Sequence, residues 1–193
     1  MHQFIGITSG LFEFVGGFTY AYSIIKGKTK PSRATWFIWS LAGIMIFSTY
    51  YASGAETTLW QPAAALLWNI TFALLSLKFG VGGLLKTDIF CFIGSLFSML
   101  LWILTKNPVI ALTCIVAVGA IGSIPTILKV YKSPMKEDLK TWTLWFLAAF
   151  LNVIAIDKFS YAIAVYPLEC VIVIGVIFGL VARKKLRRLL FLS

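Results

Sequence analysis

Tyr22-Ser23-Ile24-Ile25-Lys26, then Pro31, then Thr35-Trp36-Phe37-Ile38-Trp39, is a stretch that the chain writes twice. About a hundred residues later it returns as Pro125-Thr126-Ile127-Leu128-Lys129, then Pro134, then Thr141-Trp142-Thr143-Leu144-Trp145. Each copy lies between hydrophobic segments. Each is followed by a long apolar run and then by another that carries a proline, Pro62 or Pro167. A duplicated unit of three apolar segments is the architecture of solute transporters, in which substrate lies between the two halves.

The composition around the repeat agrees. The 193 residues are 60% hydrophobic and 12% charged, whereas soluble domains run nearer 45–50% and about 25%. A helix needs roughly 20 apolar residues to cross the hydrocarbon core. Spans are expected at about 4–25, 34–53, 59–77, 89–105, 108–128, 141–156 and 161–182, which leaves no segment for an extramembrane domain. Met1-His2-Gln3-Phe4 lacks the basic start of a signal peptide and the first span holds Glu13, so that span is expected to be retained.

A net charge of +10 would suggest a nucleic-acid partner in a soluble chain, but its distribution here argues against one. Lys26, Lys28, Lys30, Arg33, Lys78, Lys86, Lys129, Lys132, Lys136 and Lys140 fall in alternate loops on one side. Arg183, Lys184, Lys185, Arg187 and Arg188 in the tail join them, so that only Lys106 and Lys158 face the other way. The positive-inside rule makes the basic face cytoplasmic, with the N-terminus outside and the C-terminus inside. The tail, which mixes bases with Leu186, Leu189, Leu190 and Phe191, is expected to lie along anionic lipid of the inner leaflet.

Three crossings return the chain opposite its start, so two directly joined units would insert in opposite senses. A lone extra span between them makes the repeats parallel, and 89–105 matches neither copy. The expected fold is therefore an all-α integral membrane protein with seven transmembrane helices arranged as three plus one plus three. Residues 1–80 form the first bundle, 81–107 the linker helix with its loops, 108–182 the second bundle and 183–193 the basic tail.

The second copy, Pro125-Thr126-Ile127-Leu128-Lys129-Val130-Tyr131-Lys132-Ser133 followed by Glu137-Asp138-Leu139, resembles the proline-glutamine-loop (PQ-loop) signature. That signature belongs to the superfamily of SWEET sugar transporters, cystinosin-like carriers and KDEL receptors. The resemblance implies two parallel triple-helix bundles around a central path, joined by a linker helix. Thr126 stands where the family has glutamine, Tyr22 where the first copy would have proline, and Leu168 where the SWEET branch often has asparagine. The Trp-x-x-Trp pairs are also similar to those of bacterial nicotinamide riboside transporters.

Strongly polar residues in mid-membrane are costly and usually functional. At about 1.5 Å per residue, Glu13, Asn69, Asn152 and Glu169 lie roughly 12–16 Å into four different spans, which is one central layer of a roughly 30 Å core. Asn69 and Asn152 suit a neutral polar solute such as a sugar. Trp68 offers a ring for stacking, and Trp39 and Trp145, one turn inside their spans, are further pocket candidates. Glu13 and Glu169 are candidate proton-coupling acids, Glu13 the better. Trp36, Trp60, Trp102 and Trp142 read as headgroup anchors.

Pro125 reads as an inner-gate hinge, Pro167 as a kink and Pro62 as a helix-start proline. Gly6, Gly10, Gly16 and Gly17 read as a close-packing face. Cys91, Cys114 and Cys170 have no paired spacing and read as buried thiols, and His2 sits idle at a terminus. No metal site, cofactor or enzyme motif is expected.

The expected function is transport of a small polar solute, sugar-like or vitamin- or nucleoside-like, by alternating access. A seven-helix receptor and a non-transporting structural membrane protein are the alternatives. The partners are the solute and the bilayer, with no nucleic acid; an oligomer is possible but not required. The expected location is a bacterial cytoplasmic membrane.

Overall fold

The computed structural model describes residues 1–82, 86–133 and 137–190, except for the side chains at 87, 88, 91 and 184–190. Pro134 and Lys136, and the side chains of Cys91, Lys184, Lys185, Arg187 and Arg188, lie outside what is described. The helices are α1 (His2–Ile25), α2 (Arg33–Ala52), α3 (Trp60–Phe79), α4 (Lys86–Thr105), α5 (Pro108–Gly122), α6 (Ile124–Lys132), α7 (Leu139–Ile154) and α8 (Tyr161–Leu190). Among the described residues there is no strand, only an isolated bridge between Ser32 and Val81. Three helical stretches are long and apolar enough to cross a membrane: Trp60–Phe79, Pro108–Lys132 and Tyr161–Arg183.

The second of these is α5 continued into α6 across a break at Ser123. Pro125, in the first turn of α6, has no N–H to give the preceding turn. Side-chain caps set the starts of α2, α5 and α7, and α2 and α7, the equivalent helices of the two copies, cap in the same way. Ser32 Oγ accepts from Thr35 N at 3.5 Å at the start of α2, and Asp138 Oδ2 accepts from Thr141 N at 3.0 Å at the start of α7. Each cap thus satisfies an N–H that the first helical turn leaves without a partner.

Six of the helices pack in a closed order, α1–α3–α2–α5–α8–α7 and back to α1, while α4 packs outside on α5 and α2. Directions follow from the cross-links. α1 and α7 are antiparallel, because Ser9 Oγ donates to Ala148 O at 2.7 Å while Thr19 and Thr141 share a hydroxyl hydrogen bond of 2.7 Å. α2 is antiparallel to α5 and α6, through Trp39 Nε1 to Gly119 O at 3.1 Å and Thr126 Oγ1 to Thr35 Oγ1 at 3.1 Å. α1 approaches both neighbours on its glycine face. A methyl at Gly6 would overlap the Thr57 carbonyl and one at Gly17 the Trp68 indole, while one at Gly16 would lie 2.7 Å from the Trp145 ring.

The distribution of polarity is reversed relative to a soluble bundle. Glu13, Gln61, Asn152, Ser9, Thr49 and Ser76 are buried, whereas Leu74, Phe97 and Ile172 are 62%, 55% and 65% exposed. Apolar side chains outside and hydrogen-bonded polar ones inside are what a hydrocarbon solvent selects. The buried apolar residues form two clusters. One is centred on Tyr50, Leu112, Ile115 and Tyr166, the other on Tyr20, Trp36, Phe72, Trp142 and Trp145.

Pro167 sits inside α8 and cannot donate to the carbonyl of Ile163 one turn earlier. That carbonyl is instead taken by the Tyr50 hydroxyl of α2, which donates to it at 2.7 Å and also pairs with Thr58 Oγ1 at 2.7 Å. The carbonyl that Pro167 leaves free therefore has a partner in another helix.

Candidate functional site

Between the two clusters lies a cavity to which every helix of the ring contributes: Glu13 from α1, Trp39 from α2, Asn69 from α3, Gly119 from α5, Trp145 from α7 and Glu169 from α8. α4 contributes nothing to it among the described residues. The volume open to the centre of a water molecule is about 90 Å³. One water needs roughly 10–15 Å³ by that measure, so the space holds several.

The two Trp-x-x-Trp pairs form its aromatic wall. Trp36 meets Trp39 edge to face with centroids 5.1 Å apart, and Trp142 meets Trp145 in the same way at 5.1 Å. Phe72 joins them at 4.6 Å from Trp36 and 6.0 Å from Trp145. The deeper tryptophan of each pair donates to a backbone carbonyl across the ring: Trp39 to Gly119, and Trp145 to Glu13 O at 3.3 Å. These bonds hold the indoles upright against the cavity at equivalent positions of the two copies.

The polar layer is partly one network. Gln61 Nε2 donates to Glu13 Oε2 at 3.0 Å, and Asn152 Nδ2 donates to Gln61 Oε1 at 3.4 Å. Gln61 thus connects α1, α3 and α7. Asn69 Nδ2 donates to Trp39 O at 3.2 Å, which fixes that tryptophan's backbone. Glu13, Asn69, Trp39, Trp145, Glu169 and Pro62 all line the cavity. Asn152 is fully buried beside it, outside the lining.

Trp68 also lies outside the lining, packed on Gly17 and among Phe14, Phe18 and Phe72. Pro125 marks the α5–α6 break, away from the cavity, and Pro167 the α8 interior. Glu169 also borders an apolar groove between α5 and α8 lined by Val116, Leu168 and Ile172.

Two residues expected at the headgroup level are instead inside. Trp36 and Trp142 are 3% and 0% exposed and line the cavity. Residues three apart share a helix face, so a face that turns Trp39 and Trp145 inward turns these inward too. Trp142 Nε1 donates to Glu137 Oε2 at 3.0 Å. Glu137, itself buried, forms an ion pair with Lys129, whose Nζ also donates to Lys30 O at 2.7 Å. The loops preceding α2 and α7 are thereby tied together at one end of the cavity. Gln61 and Tyr166 were not singled out from the sequence. The signal for Gln61 was an amide inside an apolar run, directly before Pro62.

No protein-family model, curated protein or solved structure matches the chain.

Proposed function

We propose that the chain is a carrier for a small polar solute, working by alternating access between two parallel three-helix bundles. On this reading α1–α3 form one bundle, α5–α8 the other, and α4 is the linker, giving seven crossings of a bacterial cytoplasmic membrane. The packing supports it. In each half the third crossing lies between the first two, as α1–α3–α2 and as α5–α8–α7. The halves meet at α2 with α5 and at α7 with α1, both antiparallel, as a two-fold relation along the membrane normal requires.

The observation that carries the reading is the cavity. It lies where the halves meet, all six ring helices line it, and among the described residues the linker does not. The contact between Lys129 and the Lys30 carbonyl supports a common basic face, with the N-terminus outside. Alternate loosening of the Lys129–Lys30 tie at one end and the Tyr50–Ile163 tie at the other would open the cavity to either side.

The test is uptake of labelled sugars, vitamins, nucleosides and amines into proteoliposomes, with Trp39→Ala and Trp145→Ala as cavity variants. Uptake of one solute, lost in both variants while the protein remains folded, is the expected result. No uptake of any solute would move the reading to a structural membrane protein. We place proton coupling at Glu13, whose titratable neighbours across the helix contacts are Tyr166, Cys170 and Glu169. Glu13→Gln should flatten the pH profile of uptake; an unchanged profile refutes that role.

A further inference from the structure

The cavity's chemistry is more specific than its size. Its lining holds the carboxyl groups of Glu13 and Glu169 and the indoles of Trp36, Trp39, Trp142 and Trp145. Among the described lining residues there is no lysine, arginine or histidine. We propose that the solute is a small organic cation of the alkylammonium class, held between these carboxyl groups and the aromatic wall. This deepens the carrier reading and rests on it for translocation, though not for binding.

The competitors fit less well. A neutral polyol would pair with the carboxyl oxygens but would find few amide donors beside them. Asn69 Nδ2 holds Trp39 O, Gln61 bridges Glu13 and Asn152, and Asn152 is outside the lining. An anion would meet two acids and no base. A hard metal ion would need a cluster of oxygen, nitrogen or sulfur ligands, and no group of three His, Cys, Asp or Glu side chains occurs among the described residues. An alkylammonium needs neither a polyol's donors nor a metal's inner shell. It is weakly hydrated, and its diffuse charge is stabilised by indole faces as well as by carboxylates.

The cavity is small beside ordinary ligand pockets, which favours a compact solute. The site is also built from both halves: Glu13 comes from α1 and Glu169 from α8, and one tryptophan pair comes from α2 and the other from α7. A cation bound there would touch both sides of each seam and sense their relative movement.

The experiment uses the full-length protein in detergent and in liposomes. Choline, tetramethylammonium, glucose and 3,3-dimethylbutanol, choline's uncharged carbon isostere, are titrated while tryptophan emission is followed. The cations should bind at least roughly tenfold more tightly than the isostere. Glu169→Gln should remove most of that preference and Glu169→Asp should retain it, with Glu13→Gln as the second variant if Glu169→Gln does not accumulate.

Equal binding of choline and its isostere overturns the proposal, as does no cation binding up to about 10 mM, which corresponds to affinities too weak to matter. Uptake assays in parallel separate the two readings. Choline bound but not carried leaves the cation site standing and removes the carrier. Glucose bound and carried, with choline ignored, does the reverse.

Discussion

The cross-helix bond at Pro167 gives a prediction whose sign can be worked out before any measurement. Proline at 167 strands the Ile163 carbonyl, and the Tyr50 hydroxyl satisfies it at 2.7 Å. Tyr50→Phe keeps the ring, which is fully buried and packed 5.6 Å from Tyr166, and removes the hydroxyl that serves both the Ile163 carbonyl and Thr58 Oγ1. Leaving a buried carbonyl unpaired costs about 1–3 kcal/mol. A chain of this length melts roughly 2–4 °C lower per kcal/mol, so the midpoint should fall by about 2–12 °C.

The informative variant is the double one. Pro167→Ala restores a backbone N–H one turn from Ile163, so in the Tyr50→Phe background the helix can satisfy its own carbonyl. The double variant should recover the part of the loss that comes from the Ile163 carbonyl, while Thr58 stays without the Tyr50 hydroxyl. Recovery should stop short of complete, because removing proline loosens the unfolded chain at a cost of about 0.4–1 kcal/mol. Thermal unfolding in detergent, followed by tryptophan emission, measures all four proteins of the cycle. If Pro167→Ala lowers the midpoint equally in both backgrounds, the coupling is zero and the account of the Ile163 carbonyl fails.

Other consequences can be checked with the same melts. Gln61→Leu strips Glu13 and Asn152 of their shared partner and should cost about 2–4 kcal/mol; adding Glu13→Leu should relieve the Glu13 part of this and leave the part due to Asn152. Asp138→Ala removes the cap on α7 and should cost about 0.5–2 kcal/mol, which the shift in unfolding midpoint will report. Lys129→Met leaves the buried Glu137 without its ion partner, and breaking such a pair costs about 3–5 kcal/mol. Adding Glu137→Gln to it should restore stability measurably.

The helix positions were legible because apolar runs here end abruptly at prolines, glycines and charges. The run expected over 34–53 is Arg33–Ala52, and that over 59–77 is Trp60–Phe79. The run over 108–128 continues to Lys132 with a break near Pro125, whose missing N–H announced it. What the sequence could not give was azimuth. The depths of Glu13, Asn69, Asn152 and Glu169 could be counted, but which of them faced a common space depended on the order in which the helices close their ring.

Trp36 and Trp142 show the same limit. Their depth matched an interfacial anchor, and only their shared face with Trp39 and Trp145 argued otherwise. Gln61 was passed over because its neighbours, Trp60 and Pro62, looked like a helix start at the rim. It became central only because α1, with glycines on one face, packs close enough for Glu13 to reach it.

The tryptophan wall also makes the protein its own optical instrument. Of its seven tryptophans, Trp36, Trp39, Trp142 and Trp145 border the cavity, so four of the seven emitters sit at the site. Trp39 and Trp145 each spend their N–H on a carbonyl of the opposite half. When either seam parts, that indole exchanges a fixed dipole for mobile water and its emission moves to the red. A quenching cation entering the wall would dim the same four rings without that colour change. Occupancy and opening are thus separable by intensity and wavelength, with no label attached.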